Sequence, residues 1–72
     1  MTNVRFHANT VGIVVKYARV KEGLTLRELS DKCNLSVSYL SDIERGRTVP
    51  SLGALTEIMD ALDADLRMTI TK

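Results

Sequence analysis

The sequence predicts an all-α fold of four to five helices with a short β-strand at its C-terminal end. Apolar residues recur at three- and four-residue intervals in four stretches bounded by Ser, Thr, Asn or Gly. Two of those stretches fall close together in LTLRELSDKCNLSVSYLSDIERG, Leu24 to Gly46, around a tight break. Beyond Asp65 the period changes to two, with Leu66, Met68 and Ile70 alternating against Arg67, Thr69 and Thr71.

At 72 residues the chain reads as one domain, 1–72, with a small core, since a chain of this size buries only about 60% of its unfolded surface. The formal charge is +1, well short of the basic balance that announces nucleic-acid binding by itself. The charge is uneven, however: residues 1–50 carry eight Lys or Arg against five acids, a net +3, and the remainder two against four, a net −2. That sign suits an N-terminal half facing phosphates. Cys33 is the single cysteine and reads as a small core hydrophobe, and the lone His7 has no clustered ligands, so no metal site is expected. No nucleophile–base pair, carboxylate pair or phosphate-cradling glycine loop stands out, which argues against an enzyme or a cofactor. No apolar run is long enough for a membrane span or a signal peptide, and a cytoplasmic protein is the expectation.

In order along the chain, residues 1–8 alternate weakly at Val4 and Phe6 and read equally as a brief strand or a frayed terminus. Asn9 or Thr10 then caps a first helix, with Val11, Val14, Val15 and Ala18 inward, running to about Glu22 and stopping at Gly23. Gly12 and the β-branched residues are poor helix formers, so this helix depends on packing; Lys16 and Tyr17 read as surface. Thr25 opens the second helix, and Glu28 three residues later completes a capping box. Leu26, Leu29 and Cys33 form its buried face, and Asn34, tolerant of the left-handed conformation, turns the chain. Ser36 caps a third helix that buries Leu40 and Ile43 and ends at Gly46. After the Pro50 loop, Ser51 caps a fourth helix with Leu52, Leu55, Ile58, Met59 and Leu62 inward. Asp63-Ala64-Asp65 reads as a break before the strand at 66–71.

A short helix with a narrow buried stripe, held by a preceding helix, suits a DNA major groove. Spacing alone also fits a piece of helical bundle, and it leaves both readings open. Leu24 to Gly46 resembles the phage-repressor and Cro-like helix-turn-helix family, also called the xenobiotic-response-element type. Thr25, Leu29, Leu35, Ser36, Leu40, Ser41, Ile43, Glu44, Arg45 and Gly46 fall on its pattern, as do Pro50 and Ser51. The similarity runs from about Val11 to Leu62, and the Ile-Glu-Arg-Gly ending is its most specific part. Three positions depart from the pattern: Leu26 replaces a Gln that contacts phosphate, Ser30 replaces an Ala, and Asn34 replaces the turn Gly.

The resemblance implies a lambda-repressor-like domain with its helix-turn-helix core at 24–46. It implies that Arg19 pairs with Glu44 to link the first and third helices. It also implies that Val37, Ser38, Tyr39, Ser41 and Asp42 face the bases of double-stranded DNA. Arg45, Arg47 and Thr48, with the capped helix starts at Thr25 and Ser36, are expected to meet phosphates. The strand at 66–71 needs a neighbour, and a two-fold copy of itself would supply one through Leu66, Met68 and Ile70, although the N-terminal segment is an alternative partner. The expected function is that of a sequence-specific transcription regulator, a dimeric repressor of a palindromic operator. The alternative is an antitoxin that holds a toxin and regulates its own operon.

Overall fold

The computed structural model describes the backbone of residues 8–70 and the side chains of residues 10–62. Four helices follow one another: α1 Ala8–Lys21, α2 Leu26–Cys33, α3 Val37–Glu44 and α4 Leu52–Ile70. No strand occurs among the described residues. α1 packs on α3 and α4, and α2 packs on α3 and α4. Val15, Leu29, Cys33, Leu40, Ile43, Ile58 and Leu62 form the buried core, with Val11, Ala18, Leu26, Leu35, Leu55 and Met59 partly buried around it.

The apolar periodicity predicts most of this core, and the exceptions follow from helix geometry. Val14 is 54% exposed because it lies about 100° round α1 from the fully buried Val15. Leu52 is 81% exposed for the same reason: it is about 120° from Ile58, and Ala54 takes the inward position in that turn. Asn9 and Thr10 lie inside α1, which is described from Ala8, so neither is its cap.

The main correction concerns the C-terminus. The backbone of residues 66–70 is helical, so Asp63-Ala64-Asp65 is no break and Leu66, Met68 and Ile70 belong to α4 and not to a strand. The same residues satisfy both periods, because Leu62, Leu66 and Ile70 are also spaced by four. From Ala54 onward α4 contains neither Pro nor Gly, and a helix already nucleated gains one hydrogen bond for each residue it adds. A lone strand would have no such local return. Thr71, the last position of the expected strand, and Val4 and Phe6 of the N-terminal alternation lie outside the described residues.

Gly12 sets the spacing between α1 and α3. A Cβ at this position would collide with the carbonyl oxygen of Ile43 and lie 2.8 Å from that of Glu44, so only a glycine lets the two backbones approach this closely. Alanine would raise helix propensity by about 1 kcal/mol, but overpacking against backbone costs about 1–3 kcal/mol. Gly12→Ala is therefore expected to lower unfolding free energy in urea titrations, whereas Gly53→Ala, whose Cβ would meet nothing closer than Ser51 Oγ at 4.0 Å, is expected to raise it by about 0.5–1 kcal/mol. Equal effects of the two substitutions would show that the α1–α3 contact relaxes freely.

Candidate nucleic-acid interface

Two eight-residue helices are too short to be stable alone, and both are held at their ends by specific hydrogen bonds. At the start of α2, the Glu28 N–H donates to Thr25 Oγ1 at 3.1 Å and the Thr25 N–H donates to Glu28 Oε1 at 2.8 Å, the two halves of a capping box. At its end Asn34 adopts φ 63°, ψ 26°, and its N–H donates to the Ser30 carbonyl at 3.0 Å. Ser30 Oγ donates to the Leu35 carbonyl at 2.5 Å, which ties the last turn of α2 across the bend. The Tyr39 N–H donates to Ser36 Oγ at 3.0 Å and so caps α3.

α3 ends in a Schellman motif. The Gly46 N–H donates to the Ile43 carbonyl at 3.1 Å and the Arg47 N–H to the Asp42 carbonyl at 2.9 Å, with Gly46 at φ 78°. The turn after α1 uses the same pattern, from Gly23 to Val20 and from Leu24 to Arg19.

Arg19 joins these parts. Its Nε and one terminal nitrogen donate to the two Glu44 oxygens at 2.7 and 3.0 Å, and its other terminal nitrogen donates to the Leu24 carbonyl at 2.6 Å. The two side chains are only 12% and 6% exposed. The hydrogen bonds to Glu44 raise the Arg19 pKa above its ordinary value, burial partly opposes this, and the charge of Glu44 adds to the rise. The guanidinium therefore stays charged at any working pH, and the end of α1, the entry to α2 and the end of α3 are locked together.

What α3 then presents is two turns, about 12 Å long, of which Leu40 and Ile43 face the core. Val37, Ser38 and Arg45 are exposed, and Ser41 and Asp42 are half-buried beside them. Tyr39 is turned differently: it packs against the core, and its hydroxyl accepts a long 3.4 Å hydrogen bond from the Ser51 N–H. Thr25, Ser36 and Arg47 are exposed and Thr48 is half-buried. The Thr25 and Ser36 oxygens accept from the backbone, which leaves their hydroxyl protons available to donate outward. The sequence reading missed Gly12 and Ser30. A glycine inside a helical pattern is a signal of close approach, whereas nothing near Ser30 marks its reach across the turn.

Two capped helices joined by a tight turn, with the second helix exposed along one side, define a helix-turn-helix protein. A helix-turn-helix family model matches residues 15–68. The transcriptional regulator ClgR of Mycobacterium tuberculosis is 47% identical over 60 residues, covering 83% of this chain and 54% of the relative. The immunity repressor protein of Bacillus phage phi105 is 49% identical over 53 residues, 74% of this chain and 37% of the relative. Among solved structures, a mutant of the restriction-modification controller protein C.Esp1396I superposes with a TM-score of 0.75 at 30% identity, covering 92% of this chain and 91% of that one. The chain belongs to the phage-repressor and Cro-like helix-turn-helix family. It spans about half the length of the ClgR relative it matches.

Breaking a buried ion pair by removing one partner costs about 3–5 kcal/mol when burial is complete. With the small exposures given above, Arg19→Ala is expected to cost about 3 kcal/mol in chemical denaturation. Arg19→Ala combined with Glu44→Ala should cost much less than the sum of the two single changes. A loss below about 0.5 kcal/mol for Arg19→Ala would mean that water replaces the pair at no cost.

Proposed function

We propose that this chain is a sequence-specific DNA-binding regulator of transcription that acts as a homodimeric repressor at a palindromic operator. The observation that carries the reading is the rigid presentation of α3, capped at both ends and clamped through Glu44, with a polar outer side of a size that a major groove about 12 Å wide admits. Val37 can meet a thymine methyl, Ser38 and Ser41 can donate or accept at base edges, and Asp42 can accept from a cytosine amine. Tyr39 belongs at the margin of this base-reading set, because its ring is engaged with the core. Arg45, Arg47 and Thr48, with the capped starts of α2 and α3 at Thr25 and Ser36, supply phosphate contacts on either side of the groove.

The dimer contact we assign to the C-terminal half of α4, at Leu66 and Ile70, which are four residues apart in the helix; Met68, about 160° round it from both, drops out of the expected set. A two-fold axis there would set two copies of α3 about 34–36 Å apart, as successive major-groove faces require. The name of the phage relative supports repression, and the family supports DNA as the partner in the cytoplasm. Among the described residues no helix is long and apolar enough to cross a membrane. The antitoxin alternative draws no support from the relatives named above.

Selection of bound duplexes from a random pool is expected to enrich a two-fold symmetric motif. Ser38→Ala and Asp42→Ala should each relax one position of it by about 1–3 kcal/mol, whereas Arg47→Ala should weaken all sequences alike. An unchanged motif in the Ser38 and Asp42 variants would remove them from base reading. Replacing Leu66 and Ile70 together by Glu should shift sedimentation from dimer to monomer; a dimer that survives would place its contact elsewhere.

A further inference from the structure

A crevice beside the base-reading set, sharing only Ser41 with it, opens where α1, the first turn of α2 and the C-terminal end of α3 meet. Lys16, Arg19, Leu26, Ser41, Glu44 and Arg45 line it. Its floor is electrically spent, because the Arg19 guanidinium is bonded to both Glu44 oxygens and to the Leu24 carbonyl. Its rims are not. Lys16 and Arg45 are exposed, and no ion pair to either occurs among the described residues. Three cations against one carboxylate leave the crevice at +2, and the Ser41 hydroxyl adds a neutral donor. Leu26 lines the same space but its side chain has no donor, so the free charges of the crevice are Lys16 on α1 and Arg45 after α3.

Position decides what that anion is. Ser41 and Arg45 stand one turn apart on the outer edge of α3, so the crevice continues the side of α3 that carries Ser38 and Asp42. A helix lying in a groove about as wide as itself has a phosphate strand along each edge. Arg47 and Thr48 follow α3 in the loop toward α4, whereas Lys16 and Arg45 flank the crevice toward α1.

We infer that Lys16 is a DNA-phosphate contact supplied by α1, with Arg45 across the crevice holding the same backbone segment. This rests on the DNA-binding reading above and extends it to a helix outside the helix-turn-helix. The contact is independent of sequence, because it touches only backbone, and its strength must fall with salt as one condensed counterion per contact is released.

Fluorescence anisotropy of the full chain with its selected duplex and with an unrelated duplex, over a series of salt concentrations, tests it. Lys16→Ala is expected to weaken both duplexes alike, by about eightfold per contact at 0.1 M salt, and to flatten the log–log salt slope by about 0.9 per bound subunit. Lys16→Arg should keep the slope. Lys21→Ala, which removes a cation from the same helix but one that sits over the Tyr17 ring outside the crevice, should leave it near wild type. Unchanged melting of the Lys16 variant would separate the effect from folding. If the wild-type chain binds duplex and Lys16→Ala keeps both its affinity and its slope, the Lys16 contact is overturned and the DNA reading stands. If Lys21→Ala flattens the slope as much as Lys16→Ala, the effect is diffuse charge and the crevice contact is likewise overturned. A wild-type chain that binds neither duplex overturns the DNA reading and this contact together.

Discussion

Every angle that matters for α3 passes through the Arg19 guanidinium. It is the one group bonded at once to the end of α3, through Glu44, and to the chain entering α2, through the Leu24 carbonyl, while its own backbone sits in the last turns of α1. A planar fork with fixed donor directions is suited to this, because two parallel bonds to a carboxylate fix orientation as well as distance. Lysine would supply the charge without the geometry. Gly12 makes the reach feasible: seven residues earlier and on the same side of α1, it lets the helix backbone rest against the carbonyls of Ile43 and Glu44. The close approach and the ion pair are thus two parts of one constraint, and loosening either would release the C-terminal end of α3.

The helices held by this constraint could not hold themselves. Isolated helices shorter than about 12–15 residues are marginal in water, and α2 and α3 have eight each. Their stability comes from caps at the ends and from a few fully buried side chains, Leu29 and Cys33 on α2 and Leu40 and Ile43 on α3. Leu40 and Ile43, helped by Tyr39 and by the Glu44 ion pair, anchor α3, which leaves the side chains of Val37, Ser38, Ser41 and Asp42 outside the core. Core packing and polar exposure are divided between opposite sides of the same two turns. No buried side-chain polar atom among the described residues lacks a partner, so the division leaves no unsatisfied group behind.

Charge is divided in a similar way. The middle of the outer side of α3 carries Ser38, Ser41 and Asp42, and the cations Arg45 and Arg47 gather at and beyond its C-terminal end, with Lys16 across the crevice on α1. Neutral and acidic groups can discriminate among base edges, whereas cations attract any phosphate. The overall charge of +1 hides this arrangement, because seven of the nine acids lie outside α3.

What could be read from the sequence alone was whatever is encoded within three to five residues. The capping box at Thr25 and Glu28, the left-handed turn at Asn34, the Ser36 cap and the Gly46 stop depend on neighbours in the chain and were legible for that reason. The inward stripes of Leu29 and Cys33, Leu40 and Ile43, and Ile58 and Leu62 were legible from their period. The period was silent at 66–70, where one set of apolar residues fits two conformations; there the helix already running from Leu52 decided in favour of its own continuation. Only the tertiary structure could show that Gly12 is a contact point, that Tyr39 leans on the core, or that Lys16 and Arg45 line one crevice. Each of these depends on which faces of distant helices meet, and that is set by how the side chains fill one small core rather than by any short stretch of the chain.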